Sequence, residues 1–299
     1  MNRRQALKTI AATGALTALT RMTPTALAAP SEISNMKSEI PPAPGALRQS
    51  VCAWCYIKKI PLPEFALAAK KLGLGSIELL DPAQWPVVQK AGLECAVANG
   101  PKSSSIRRGF NRREHHANLV PDFLARIAEC SESGIPNLIC FSGNRDGQSD
   151  EEGLEICAEG LKKITSAAEK ARVTLIMELL NSKVNHKDYQ CDHTAWGVEL
   201  VKRVGSDRFK LLYDIYHMQV MEGDVIRTIR ESAPCIGHYH TAGNPGRNEF
   251  EPADAQELNY PAIMRAIRDT GYRGYIGQEF VPKRDPLTSL AAAIKICAV

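Results

Sequence analysis

The chain has 299 residues, 44% of them apolar and 23% charged, with 21 glycines and 18 prolines, a composition that fits one large globular domain or two small ones. Its formal charge of +4 is concentrated in residues 1–28, where Arg3, Arg4, Lys8 and Arg21 face no acid. Without those four, 33 basic residues balance 33 acidic ones, which argues against a basic footprint for nucleic acid or a membrane surface.

The first predicted element is a targeting signal over residues 1–28. "NRRQALK" is a twin-arginine n-region, Thr9 to Thr20 is an Ala- and Thr-rich apolar stretch too short to span a bilayer, and "ALA" at 26–28 is a cleavage site. The alternative is an amphipathic helix. The signal predicts export by the twin-arginine route to the periplasm or beyond. Residues 29–47, with Pro30, Pro41, Pro42 and Pro44, read as an extended tether.

From residue 48 to 299 strand-like and helix-like runs alternate. The predicted strands are 50–56 (SVCAWCY), 76–80 (SIELL), 93–98 (LECAVA), 137–142 (NLICFS), 173–180 (VTLIMELL), 209–214 (FKLLYD), 236–241 (IGHYHT) and 275–280 (YIGQEF). Helical spacing marks Phe65–Leu72, Leu119–Ala128, Leu154–Ala168, Val198–Val204, Ile263–Ile267 and Leu290–Ile294, with Gly73, Gly134, Gly205 and Gly271 as left-handed caps. Eight strand–helix units in this length predict an α/β fold, a single-domain (β/α)8 TIM barrel over 48–299. The competing open sheet lacks its phosphate fingerprint, because the first strand runs into "WCYIKKIPLPE" rather than GxGxxG. Nine cysteines scattered through apolar runs read as buried free thiols; Cys52-Ala-Trp-Cys55 leaves a redox or zinc role as the minor alternative.

A barrel of this kind places chemistry at the C-terminal ends of its strands. There the apolar runs break into Glu178, Asp214, His240 and Glu279, on consecutive strands five to eight. Singly each has a structural reading: a carboxylate paired with an Arg, a helix cap, a core imidazole. Together, with no Lys or Arg at the ends of strands five, six or eight, they would leave uncompensated charge in the barrel mouth. A divalent cation resolves this. The oxygen-rich set favours Mg²⁺, Mn²⁺ or Co²⁺, with Zn²⁺ also open.

The runs "IELLDPAQWP", "MELLN", "YDIYHMQVMEGD", "GNPGRNE" followed by "ELNY", and "YIGQEFVP" together resemble the hydroxypyruvate isomerase family, a branch of the xylose-isomerase-like barrels. The likeness runs from the first strand to the last. It implies that Glu178, Asp214, His240 and Glu279 bind the metal, that Glu178 and Glu279 also transfer the proton, and that His217 and Arg247 hold substrate oxygens. The residues themselves agree: moving a carbonyl to a neighbouring carbon needs proton carriers, and the planar fork of Arg247 suits a carboxylate. Arg247 paired with Glu249 on the surface is its alternative. Asn181 and Lys183 are candidates for the pocket lining, and Trp54 and Tyr56 for an apolar wall or core. Glu78 is read as orienting substrate or pairing with a neighbour. The basic run 107–116, with His115 and His116, reads as a solvated loop or a lid.

The expected partner is a small hydroxy-keto acid or sugar, with no nucleic acid and no membrane after cleavage; an oligomer is left open. The expected activity is a metal-dependent aldose–ketose-type isomerase acting on hydroxypyruvate. The export signal also admits a sugar epimerase or keto-glycoside lyase. A non-catalytic exported carbohydrate-binding barrel is the alternative of another class, disfavoured by the paired carboxylates.

Overall fold

The computed structural model describes residues 47–251 and 256–299. The expected signal and all but the last residue of the expected tether lie outside them. Leu47, that last residue, is already buried in the core.

The strands are β1 (Arg48–Cys52), β2 (Ser76–Glu78), β3 (Val97–Ala98), β4 (Asn137–Cys140), β5 (Thr174–Leu179), β6 (Phe209–Asp214), β7 (Ile236–Thr241) and β8 (Tyr275–Gln278). All pair in parallel, in the order β2-β1-β8-β7-β6-β5-β4-β3. Isolated parallel bridges, Ser76 to Glu94 and Leu80 to Ala98, join the two ends of that order and close the barrel. The helices are α1 (Leu62–Lys71), α2 (Trp85–Lys90), α3 (Arg113–Glu132), α4 (Asp150–Ala171), α5 (Thr194–Val204), α6 (Ile215–Met221), α7 (Val225–Ser232), α8 (Tyr260–Asp269) and α9 (Pro286–Cys297). None of them is long and apolar enough to cross a membrane.

Strands β6 and β7 match their expected bounds; the early strands are shorter, for local reasons. The first gives way to a 3-10 turn over Ala53–Cys55, which turns Trp54 outward and stacks Tyr56 on Phe65 with centroids 4.9 Å apart. Strand β2 stops at Glu78 because Leu79 takes φ +58, in the left-handed region. The third is regular only at its end, since the Ala96 amide donates to Ser76 Oγ at 2.8 Å instead of to a strand carbonyl. Helices α2, α6 and α7 fall outside the runs singled out by helical spacing. Helix α6, "IYHMQVM", buries Ile215, Tyr216, His217, Met218 and Met221, so no polar face marks it as helical. The four expected cap glycines, Gly73, Gly134, Gly205 and Gly271, all take positive φ.

Period-2 alternation sets the floor of the site. Ile176, Leu212 and Tyr275 pack with Ala96, Val97 and Ile139 as an apolar layer. Two residues further along their strands come Glu178, Asp214 and Gly277, with Glu279 two beyond that. The same inward rows therefore supply apolar residues below and polar ones at the mouth.

Candidate active site

Glu178, Asp214, His240 and Glu279 converge: each offers a ligand atom within 4.8 Å of all the others, and all four are buried. His240 Nδ1 lies 3.0 Å from Glu279 Oε2 and 3.7 Å from Glu178 Oε1, yet among the described residues it has no hydrogen-bond partner. They are not on one rung of the sheet. Asp214 is level with His240, but Glu178 pairs with Leu212 and His240 with Gly277, so strand stagger brings the four together.

Asp214 caps a helix with one oxygen and turns the other to the cluster. Oδ1 caps α6 by accepting from the His217 amide at 3.0 Å. Oδ2 faces the site, 3.4 Å from Arg247 Nη2 and 3.6 Å from His217 Nε2. Burial pushes its carboxyl up to about 7, partly offset by Arg247.

The expectation that the strand-end carboxylates lack a cationic partner is corrected by Arg247. Its Nη2 is 2.6 Å from Glu279 Oε2, and its pairing is with Glu279 and Asp214, not with Glu249. Glu249 instead accepts from the amides of Lys283 and Arg284 and from Ser289 Oγ. The chain turns Arg247 inward with φ +59, its amide donating to the Gly243 carbonyl at 2.8 Å. The guanidinium lies 5.3 Å from the Trp54 ring centroid and 5.8 Å from that of Tyr216. Its spacing in sequence could not reveal this, because a loop return sets it.

The two acids differ. Burial works against the Glu279 carboxylate, but Arg247 and His240 outweigh it and hold it well below the usual range, helped by Trp54, whose Nε1 donates to Oε1 at 2.8 Å. For Glu178 burial wins: it raises the carboxyl, His240 and Arg247 offset this only in part, and Glu279 nearby adds to the rise. Three carboxylates and the Nδ1 of His240 converge beside one guanidinium, an oxygen-rich donor set that fits a divalent cation.

His217 is fully buried on α6. Its Nδ1 accepts from the Asn181 amide at 3.2 Å, so in the neutral ring the proton sits on Nε2, which has no hydrogen-bond partner. Burial, then Arg247, pushes this imidazole well below the usual histidine range. Asn181 itself is used up: Oδ1 accepts from the amides of Val184 and Asn185, and Nδ2 reaches Asn185 and His217. It shapes the 181–186 loop and holds His217 and is not among the side chains that line the cavity. Lys183 is directed away, donating to the Met221 carbonyl at 2.7 Å.

A cavity of about 300 Å³ opens above these groups, lined by Trp54, Glu178, Arg247 and Glu279 on one side and by Leu79, Ile139 and Phe141 among others. His186 also lines it, with Nε2 buried and unpartnered, its pKa brought down to about 4 by burial and Arg247. Sequence reasoning passed over His186; its only signal was a place in the loop after β5, at the chemical end of the barrel. The 107–116 run leads into α3 with Arg107, Arg108, Arg113 and Glu114 exposed, as the loop reading expects, and its middle is pinned: the amides of Phe110 and Asn111 donate to the Phe141 and Ser142 carbonyls, and His116 Nε2 is 2.8 Å from the Phe110 carbonyl. Just before it, Ile106 reaches the cavity.

A family model described as xylose isomerase-like TIM barrel matches residues 67–297. A putative hydroxypyruvate isomerase of Homo sapiens is 25% identical over 258 residues, covering 80% of this chain and 91% of that one. The hydroxypyruvate isomerase of Escherichia coli K12 is 33% identical over 163 residues, 53% of this chain and 60% of that one. Among solved structures, the apo 3-keto-D-glucoside 4-epimerase of E. coli superposes with a TM-score of 0.69 at 17% identity, over 83% of this chain and 98% of that one.

Proposed function

The chain belongs to the xylose isomerase-like TIM barrel family and is an isomerase, and we propose that it depends on a divalent metal and moves a carbonyl between adjacent carbons of hydroxypyruvate, giving tartronate semialdehyde. The observation that carries this reading is the pair of buried carboxylates, Glu178 and Glu279, set either side of His240 Nδ1 at 3.7 and 3.0 Å. One carboxylate removes a proton from the hydroxyl-bearing carbon beside the carbonyl and the pair returns it to the former carbonyl carbon through an enediolate, while the hydroxyl proton passes to the former carbonyl oxygen.

Glu178, raised by burial where Glu279 is lowered by Arg247 and His240, is the stronger base of the two. Glu279, fixed by Trp54 and Arg247, is the weaker. Arg247 spends only Nη2 on the two carboxylates, and its Nε is unpaired, so its fork has donors left for a substrate carboxylate. His217, buried and itself not among the cavity-lining side chains, is proposed to turn Nε2–H to a substrate oxygen, and Asn181 acts through it as a positioning residue. Glu178, Asp214, His240 and Glu279 would hold the cation, with Mg²⁺, Mn²⁺ or Co²⁺ favoured by the oxygen-rich set and Zn²⁺ also open. When bound, such an ion supplies Lewis acidity that lowers the cost of the enediolate. The twin-arginine leader supports action in the periplasm or outside the cell.

A second reading, a sugar epimerase or keto-glycoside lyase, is favoured by the cavity. About 300 Å³ with an apolar wall of Leu79, Ile106, Ile139, Phe141 and Leu180 is ample for a three-carbon acid and suits a longer substrate.

Substrate profiling in deuterated water separates these readings. Deuterium entering at the carbon beside the carbonyl of hydroxypyruvate, and lost with a chelator, is the expected result. Exchange with keto-glycosides or hexoses alone would transfer the assignment to the second reading. No exchange with any of them would overturn both and favour a binding barrel.

A further inference from the structure

Below the candidate ligands lies a second buried cluster. Glu78, on β2, places Oε1 2.9 Å from both His238 Nε2 and His240 Nε2. Its Oε2 accepts from Ser50 Oγ at 2.9 Å. Glu78, His238, His240 and Ser50 are all buried to within 1% of full burial. An ionised carboxylate has no proton to give, so both Nε2 atoms meeting at this one oxygen must donate.

The barrel is built to admit this contact. A Cβ on Gly277, in β8, would lie 2.1 Å from Glu78 Oε1 and 2.7 Å from His240 Cδ2. Any side chain at that position would therefore push Glu78 and His240 apart.

We propose that Glu78 is a positioning residue that keeps a proton of His240 on Nε2 and thereby leaves Nδ1 as the ring atom turned toward the cation site, with Gly277 leaving room for the pair. A carboxylate behind a metal-ligating imidazole fixes its tautomer and ring orientation and raises its basicity. Nδ1 is the ring atom facing Glu178 and Glu279, so this hydrogen bond selects which nitrogen can act as ligand. The inference rests on the metal reading of the site.

Two measurements test it. In the native protein labelled with ¹⁵N-histidine, His240 Nε2 should carry a proton with and without Mg²⁺. By calorimetry, Glu78→Gln should bind Mn²⁺ about 10–100-fold more weakly than the native protein, with an unchanged far-UV spectrum. Ser50→Ala, which leaves both histidine contacts, should bind Mn²⁺ as the native protein does. An unprotonated Nε2 in the native protein, or a folded Glu78→Gln with native Mn²⁺ affinity, would overturn the proposal. If Glu78→Gln does not fold, the Nε2 proton decides. Failure of the native protein itself to bind Mn²⁺ would overturn the metal reading, and with it the ligand role given to Nδ1.

Discussion

The indole Nε1 of Trp54 donates to Oε1 of Glu279 at 2.8 Å, tying the turn after β1 to the carboxylate at the end of β8. With Arg247 on Oε2 at 2.6 Å, both oxygens of Glu279 are held from opposite sides. Trp54→Phe keeps an apolar wall and removes one donor. A hydrogen bond to a charged group is worth about 1.5–3 kcal/mol, so steady-state assays should show turnover reduced at least about tenfold.

The proton carriers are the sharper test of mechanism. Glu178→Gln and Glu279→Gln should each lower turnover of hydroxypyruvate by about 10²–10⁴-fold, the range of a lost general acid or base. Circular dichroism should be unchanged. Near-native activity in either variant would rule out the two-carboxylate mechanism.

Arg247 partners Glu279 and Asp214 in a buried setting. Arg247→Met leaves those carboxylates facing one another, and breaking a buried pair costs about 3–5 kcal/mol. In chelator, Tm should fall by about 10 °C, given about 2–4 °C per kcal/mol for a domain of this size. Mn²⁺ should restore much of the loss. A Tm as high as that of the native protein in chelator would show that the guanidinium does not offset those charges.

His186 gives the pH dependence. Burial and Arg247 bring its pKa down to about 4 in the folded protein, whereas an unfolded histidine titrates near about 6.5. Between those values the unfolded chain binds more protons. The contribution of His186 to stability is therefore present above pH ~6.5 and is lost as pH falls toward about 4. His186→Gln removes that proton linkage, so its urea midpoint should change less across this window than the native protein's. Identical slopes would show that His186 is not the group responsible.

Eight of the nine cysteines are buried, and Cys235 alone is half-buried. All nine are free thiols, including Cys52 and Cys55 of the CxxC spacing. A thiol reagent should titrate about one group per native chain and nine after denaturation. Rapid native reaction of Cys52 or Cys55 would contradict the buried placement.

The barrel and the four residues at the ends of β5 to β8 are legible in the residue pattern alone. Inward rows repeat every second residue, so Glu178, Asp214 and Glu279 could be read directly off strands whose apolar residues lead up to them. The sequence also marked the bare cap glycines, where only backbone conformation matters. Tertiary structure alone decided what each group touches. Trp54 and Glu279 are 225 residues apart, Arg247 and Asp214 are 33 apart, and Glu78 and His240 are 162 apart, each pair meeting through closure of the barrel or a loop return. Asn181 fits the expected place but turns its amide to His217, because the loop after β5 needs its oxygen as a cap. Periodicity specifies the face on which a side chain stands. Strand stagger, loop backbone and the space left by Gly277 specify the atom it meets.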